Sequence, residues 1–240
     1  VFTYTLEPEG PGDIIPADNF ADTFDDGDLD GWTESGEWFV EEGAAAVISS
    51  LNKSELARAN STPDFELLFS LYPSYYEDTA DPPLPPFVYR VVSQQIITVC
   101  LRESATGTQL VLEYVIHEDP DFDDHITLRE KVAGTNTVLR ELDLAFAPWN
   151  SAGWRDFRVV CNGNDVTLYR VDTEEPEILL ETTEAAVVDT QSLCFAASAG
   201  DTPLLDDISL EAALEVPAGQ ARSFLAVPDP GAKLISWGGA

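Results

Sequence analysis

Phe24-Asp25-Asp26-Gly27-Asp28-Leu29-Asp30-Gly31-Trp32 is the stretch on which the reading of the whole chain turns. Asp26, Asp28 and Asp30 stand at alternate positions, and Gly31 follows them. Carboxylates so spaced in a tight loop can converge on one hard cation, and a glycine permits the sharp turn that gathers them. Glu37 falls at the twelfth place of a loop that starts at Asp26, which completes a calcium-loop pattern. The setting decides the fold. An EF-hand needs a helix on each side, but Phe20-Ala21-Asp22-Thr23-Phe24 and Glu37-Trp38-Phe39-Val40-Glu41-Glu42 alternate as strands. The loop therefore joins strands, and the competing reading is a polar Asp/Gly turn on an acidic chain. Calcium is the expected ion, with Asp26, Asp28 and Asp30 as ligands and Asp25, Glu37 or Asp207 completing the shell.

Working outward, the alternation continues. Strands are expected over 44–49, 55–60 and 65–72, where Phe65, Leu67, Phe69 and Leu71 set one buried face. Further strands are expected over 87–101, 108–117, 126–132 and 136–144, with turns at Ser104-Ala105-Thr106-Gly107 and Ala133-Gly134-Thr135. Helical periodicity is absent. Trp154 is expected to pack inward where a later strand starts.

The quoted stretch, taken with Gly36, Trp38, Val40 and Gly43, resembles the opening of concanavalin A-like, laminin-G-like jelly rolls. Trp154-Arg155-Asp156-Phe157-Arg158-Val159-Val160, Asn162-Gly163-Asn164 and Val166-Thr167-Leu168-Tyr169 resemble that family's strand-turn-strand near the C-terminus. Leu204-Leu205-Asp206-Asp207-Ile208-Ser209-Leu210 resembles its closing strand. The likeness spans about residues 18–213, and the order of the motifs carries it. It implies an all-β, antiparallel two-sheet jelly-roll sandwich, and sugar binding in many relatives, though a fold alone does not fix a function. Glu141-Leu142-Asp143-Leu144 resembles the Glu-x-Asp-x-x-Glu strand of the family's glucanases, but Ala145-Phe146-Ala147 follows, and the missing third carboxylate argues against that class. The chain is thus read as an N-terminal arm (1–19), a jelly roll (20–213) and a C-terminal arm (214–240).

Composition narrows the partners. Lys and Arg number 12 against 44 Asp and Glu, for a net charge of -32. Nucleic acid and anionic membranes are polyanions, so the charge argues against them as partners. No apolar run approaches the about 20 residues of a membrane span. The charge fits a saline or calcium-rich exterior, and the Val1 start without any Met fits a removed secretion signal. Cys100, Cys161 and Cys194 lie in apolar runs and read as buried thiols; one disulfide is an alternative that spacing cannot assign. Asn52-Lys53-Ser54 and Asn60-Ser61-Thr62 have the form of glycosylation acceptors.

Two further sets of residues suggest function. Tyr75, Tyr76 and Trp149 lie in loops, where aromatic rings stack on pyranose faces or merely stiffen the surface. His117 and His125 bracket five carboxylates, a set that reads better as an acidic hairpin loop than as a metal site. The arms each carry strand-like apolar runs on breaker-rich tethers: Phe2, Tyr4 and Leu6 at one end, and Phe224, Leu225, Val227, Leu234, Ile235 and Trp237 at the other. Such strands can add to a neighbour's sheet edge or fold back on their own domain. No Ser-His-Asp order, Walker loop or zinc signature is present. The resulting expectation is a non-enzymatic, calcium-stabilised extracellular subunit that self-assembles through its arms. The alternatives are a lectin-like carbohydrate-binding module and a glycan-active hydrolase.

Overall fold

The structure, a computed structural model, describes residues 4–8, 19–47, 53–72, 94–117, 124–144, 154–173, 175–198, 203–212 and 224–228. Every helix or strand among them is a strand. The first nine are β1 (Tyr4–Pro8), β2 (Phe20–Asp22), β3 (Thr33–Ser35), β4 (Trp38–Glu41), β5 (Ala44–Val47), β6 (Ser54–Ala59), β7 (Phe65–Tyr72), β8 (Gln94–Glu103) and β9 (Gln109–His117). The others are β10 (Asp124–Val132), β11 (Thr135–Leu144), β12 (Arg155–Asn162), β13 (Asp165–Arg170), β14 (Glu177–Thr182), β15 (Ser192–Ala197), β16 (Leu204–Ala212) and β17 (Phe224–Pro228).

The chain divides into two compact units. One, Asp18–Ala213, is a jelly-roll sandwich of two antiparallel sheets. The first sheet has seven strands in the order β11-β10-β9-β8-β15-β6-β3. The second runs β14-β13-β12-β7-β16-β5-β4, with β2 paired to β16 as its eighth member. The other unit, Val1–Ala17 with Leu214–Ala240, holds a two-stranded sheet in which β1 pairs antiparallel with β17, from Tyr4↔Pro228 to Pro8↔Phe224.

Alternation builds the core. In β7, Phe65, Leu67, Phe69 and Leu71 are buried, while Glu66, Leu68 and Tyr72 on the other face are half-buried. In β12, Arg155, Phe157, Val159 and Cys161 are buried on the same principle. The opposite sheet supplies Ile97, Val99, Leu112, Tyr114 and Ile116 to the same cluster. Each such apolar side chain contributes about 1.5–3 kcal/mol when fully buried. Trp154 does not join them. The parity that turns Arg155 and Phe157 inward puts the preceding residue outside, so Trp154 is 39% exposed and meets Tyr72 edge-on at 5.6 Å. The expected inward packing of Trp154 is corrected accordingly.

Gly36 explains the Gly-x-Trp spacing. Its φ is 97°, and a Cβ there would lie 2.8 Å from the Ser54 Cα, so β6 presses directly on the turn between β3 and β4. Charged side chains, Arg102 and Glu130 among them, also face inward from the seven-stranded sheet. A bulge places one extra residue in β8, since Cys100 pairs with Val111 but Arg102 with Leu110. Arg102 therefore points into the sandwich and is fully buried. Its guanidinium donates to the carbonyls of Pro63 (2.8 Å), Gly163 (2.8 Å) and Val187 (2.9 Å), and to the Asp64 carboxylate (3.2 Å). Glu130, also buried, accepts the N–H groups of Ala186 (2.5 Å) and Val187 (2.8 Å). Together they fix the strandless segment between β14 and β15.

Candidate functional site

The Asp loop between β2 and β3 is organised by its own backbone. Asp26 accepts the N–H of Asp28 at 3.4 Å, and Asp28 accepts that of Asp30 at 2.9 Å. These are side-chain-to-backbone turns of the kind that aspartate favours. Gly27 and Trp32 donate to Phe24 and Leu29 in two further turns, each at 3.0 Å. Behind the loop, Asp22 accepts the Phe24 N–H (2.9 Å) and the Trp32 indole N–H (2.7 Å), which seats Trp32 edge-on to Phe20 and Phe195. Glu37 begins a separate contact, its N–H reaching the Ser54 hydroxyl at 3.4 Å.

Among the described residues, no group of three or more His, Cys, Asp or Glu side chains is placed to hold a metal ion. The expected convergence of Asp26, Asp28, Asp30 and Glu37 is not seen among the described residues; Asp26 and Asp28 each turn one carboxylate oxygen to a backbone N–H two residues on.

Asp25 and Asp207 belong to a different corner. Burial pushes the Asp206 carboxyl above the ordinary carboxylate range; the Asp207 N–H, at 2.7 Å, pulls against this, and the charges of Asp207, Asp25 and Asp22 add to the rise. Phe24, Glu42 and Asp207 carry positive φ values of 53°, 52° and 49°. A Cβ at Gly43 would lie 3.1 Å from the Asp25 Oδ1, which brings the β4–β5 turn to the same corner. Side chains at left-handed positions cost about 1–3 kcal/mol each and persist where surroundings over-determine them.

The second place is the outer face of the seven-stranded sheet. In β9, Leu110, Leu112, Tyr114 and Ile116 point into the core, so Glu113, Val115 and His117 point out. In β10 the inward set is Ile126, Leu128 and Glu130, so His125, Thr127 and Arg129 point out. Register sets these side by side: His125↔Val115, Thr127↔Glu113 and Arg129↔Val111. The two imidazole rings lie 6.0 Å apart. Arg129 forms an ion pair with Glu113, with 31% and 16% of their side chains exposed. Asp124, buried at the start of β10, accepts the His117 N–H at 2.7 Å and ties the two strands together. The result is a strip of ring, hydroxyl, carboxylate and guanidinium groups on a rigid sheet. The void between the sheets, lined by Phe69, Tyr114 and Phe157 among others, measures about 10 Å³, too small for a sugar.

The other expected residues fall as follows. Tyr75, Tyr76, Trp149, Asn52, Phe2, Leu234, Ile235 and Trp237 lie outside the described residues. Tyr4 and Leu6 lie in β1, and Phe224, Leu225 and Val227 in β17, paired with each other within one chain. Asn60 is 1% exposed, and its Oδ1 accepts the Thr62 N–H at 3.0 Å, so a glycan on it has no room in this fold. Glu141 and Asp143 are exposed on the edge strand β11. Glu113, Thr127 and Arg129 were not among the residues singled out in the sequence. The signal that finds them is the polar alternation of β9 and β10, folded about the His117–His125 linker.

No family model matches the chain, and no curated protein matches it in sequence. Solved structures do match in fold. A carbohydrate-binding module, CBM66, from Bacillus subtilis aligns with a TM-score of 0.53 at 11% identity, over 75% of this chain and 95% of that one. The exoplasmic/lumenal domain of VIP36, in a Ca2+/Man3GlcNAc-bound form, aligns with a TM-score of 0.57 at 9% identity, over 83% and 90%. A Bacillus subtilis protein of unknown function with a galectin-like fold aligns with a TM-score of 0.56 at 10% identity, over 88% and 98%. These likenesses show that the chain shares the jelly-roll architecture of lectin-type proteins.

Proposed function

We propose that this chain is a non-catalytic, lectin-like glycan-binding module, with the strip His117–His125–Thr127–Glu113–Arg129 as its binding surface. The observation that carries the reading is that the half-buried Glu113–Arg129 pair and two imidazole rings share the outward side of one sheet. Paired planar groups match the adjacent hydroxyls of a pyranose by bidentate hydrogen bonds, and rings offer flat apolar contact. The fold supports it, since two of the similar structures are a carbohydrate-binding module and a domain with a bound mannose-type glycan. An exported location is part of this reading, and the net charge of -32 fits a saline or calcium-rich exterior.

The test is binding to a glycan array and to soluble polysaccharides, with the wild-type chain beside Arg129→Ala and Glu113→Gln. Binding by wild type and a loss of tenfold or more in both variants is expected. No glycan bound by wild type, or variants that bind as wild type does, would sink the proposal.

This reading displaces arm-driven self-assembly. A strand already paired along its length in its own chain has one edge left rather than two, so β1 and β17 lose much of the drive to enter a neighbour's sheet. Sedimentation of the purified chain at micromolar concentration is expected to show a monomer; large polymers that vanish when residues 1–12 are removed would restore the filament reading.

Calcium enters as a second reading, since similar structures hold Ca2+ and the charges of Asp207 and Asp25 bear on the half-buried Asp206, although among the described residues no three carboxylates are placed around one ion. A divalent ion held near Asp25 and Asp207 would relieve that repulsion and stabilise the corner. The expected outcome is a rise in Tm with calcium over chelator that Asp25→Asn or Asp207→Asn abolishes and Asp26→Asn does not.

A further inference from the structure

Three cysteines are present, and the structure distinguishes them. Cys161 lies in β12, fully buried and facing the core between the sheets. Burial pushes its thiol up to about 12. Cys100 and Cys194 lie in the other sheet, in β8 and β15, and are direct register partners. Both point to the outer face, where they form a small cluster with Val111 and Ala57. The strand neighbours on that transverse row are Cys194↔Ala57 and Cys100↔Val111, so the two sulfurs sit side by side with apolar flanks. Both are free thiols, 2% and 5% exposed.

Directly opposed residues of an antiparallel pair have Cα atoms about 4.5 or about 5.5 Å apart, according to whether they exchange hydrogen bonds. Both values fall inside the about 4.4–6.8 Å that a disulfide spans. Cys161 meets no such condition. It stands in the opposite sheet, about 10 Å away by ordinary sheet stacking, and on the far side of the β8 backbone from Cys100.

We propose that Cys100 and Cys194 are a redox-closable cross-strand pair, joined by a disulfide-class oxidant into an intrachain disulfide while Cys161 stays a thiol. The exchange balances. One thiolate attacks the oxidant's S–S bond and expels a thiolate; the second cysteine attacks the mixed disulfide and expels the other. One S–S bond forms in the protein and one breaks in the oxidant. The two thiol protons pass to the two departing thiolates. In the folded chain the Cys100 thiol is held protonated, by its hydrogen bond with Cys194 first and by burial second. The Arg102 carbonyl, at 3.5 Å, is a second acceptor for the same proton. Closure in the native state is therefore slow, and the bridge forms most readily while the sheet is assembling.

The position gives the bridge a role. The β8 register slips between Cys100 and Arg102 against β9, and the β15 register slips between Ser192 and Cys194. A covalent link at Cys100 pins the bulge from one side. It also closes a long loop, which constrains the unfolded chain.

The experiment uses the full chain, as purified and refolded from denaturant, each in reduced/oxidised glutathione and in excess reductant. Free thiols are counted after denaturation, and blocked peptides are mapped by mass. The expected result is one free thiol, at Cys161, after oxidative refolding, against three in reductant. The Tm should rise by roughly 5–15 °C on closure and fall back on reduction. Cys161→Ser should keep the shift, and Cys100→Ala and Cys194→Ala should each lose it. Three thiols retained under every condition would overturn the proposal. So would a bridge that includes Cys161, or a glutathione adduct that never resolves to a Cys100–Cys194 bond.

Discussion

Arg102 and Arg129 belong to the same sheet and face opposite ways. Arg102 follows a one-residue bulge in β8, which turns it into the sandwich, where four acceptors take its donors and no surface remains. Arg129 follows the plain alternation of β10 outward and has Glu113 as its ion-pair partner, with about a third of its side chain exposed. One is satisfied by the fold, and the other has donors to offer a ligand. The difference teaches that a cation's role on a sheet is set by parity and exposure, not by residue type.

The comparison breaks most easily at Arg102. Arg102→Leu takes the donor from the buried Val187 carbonyl and from the half-buried carbonyls of Pro63 and Gly163, and leaves Asp64 with the Gly163 N–H alone, and the expected loss is roughly 3–5 kcal/mol, read by thermal or urea unfolding. A variant that unfolds like wild type would mean that the hub is incidental. Arg129→Ala should cost no more than about 1 kcal/mol, as a partly exposed ion pair does, while its effect on glycan binding is the tenfold loss given above. Equal damage to stability by both substitutions would erase the distinction.

Smaller effects sharpen it. Asp22→Ala removes the acceptor of two hydrogen bonds beneath the Asp loop and should cost about 2 kcal/mol. Asp206 tests the crowded corner through pH. Its folded-state affinity for a proton is raised, so its contribution is present below the ordinary carboxylate range and is lost as pH rises through the folded value. Asp206→Asn should therefore be more stable than wild type at neutral pH, and the gain should vanish in acid. A variant less stable than wild type at neutral pH would show that the corner needs the charge, as a cation site does. The smallest change is expected of Asp26→Asn, within about 0.5 kcal/mol, since the loop is exposed and the amide can still accept the Asp28 N–H.

Strands were legible where alternation was strong. β7 spans the expected 65–72 and buries the expected four residues, because Phe65, Leu67, Phe69 and Leu71 leave a single parity to choose. β3 was read as loop, since Thr33-Glu34-Ser35 is exposed throughout and pairs only at the edge, against β6. The bulge at Leu101 leaves no mark in composition, so the inward turn of Arg102 was hidden. The Asp loop was legible as a string, yet strings report spacing and not which acceptor a backbone N–H will take. The strip on β9 and β10 was hidden for the opposite reason. Glu113 and Arg129 are 16 positions apart, and only the register makes them neighbours.

The way the chain enters and leaves its sheets has a mechanical consequence. Phe20 pairs with Leu210, and Asn19 reaches the Ala212 N–H, so the sandwich's first and last strands begin and end at one place. Tyr4 and Pro228 stand opposite each other in the same sense. Tension applied through the chain ends therefore peels both ladders open one rung at a time, instead of loading all rungs together in shear. Such unzipping takes less force than shearing the same rungs together.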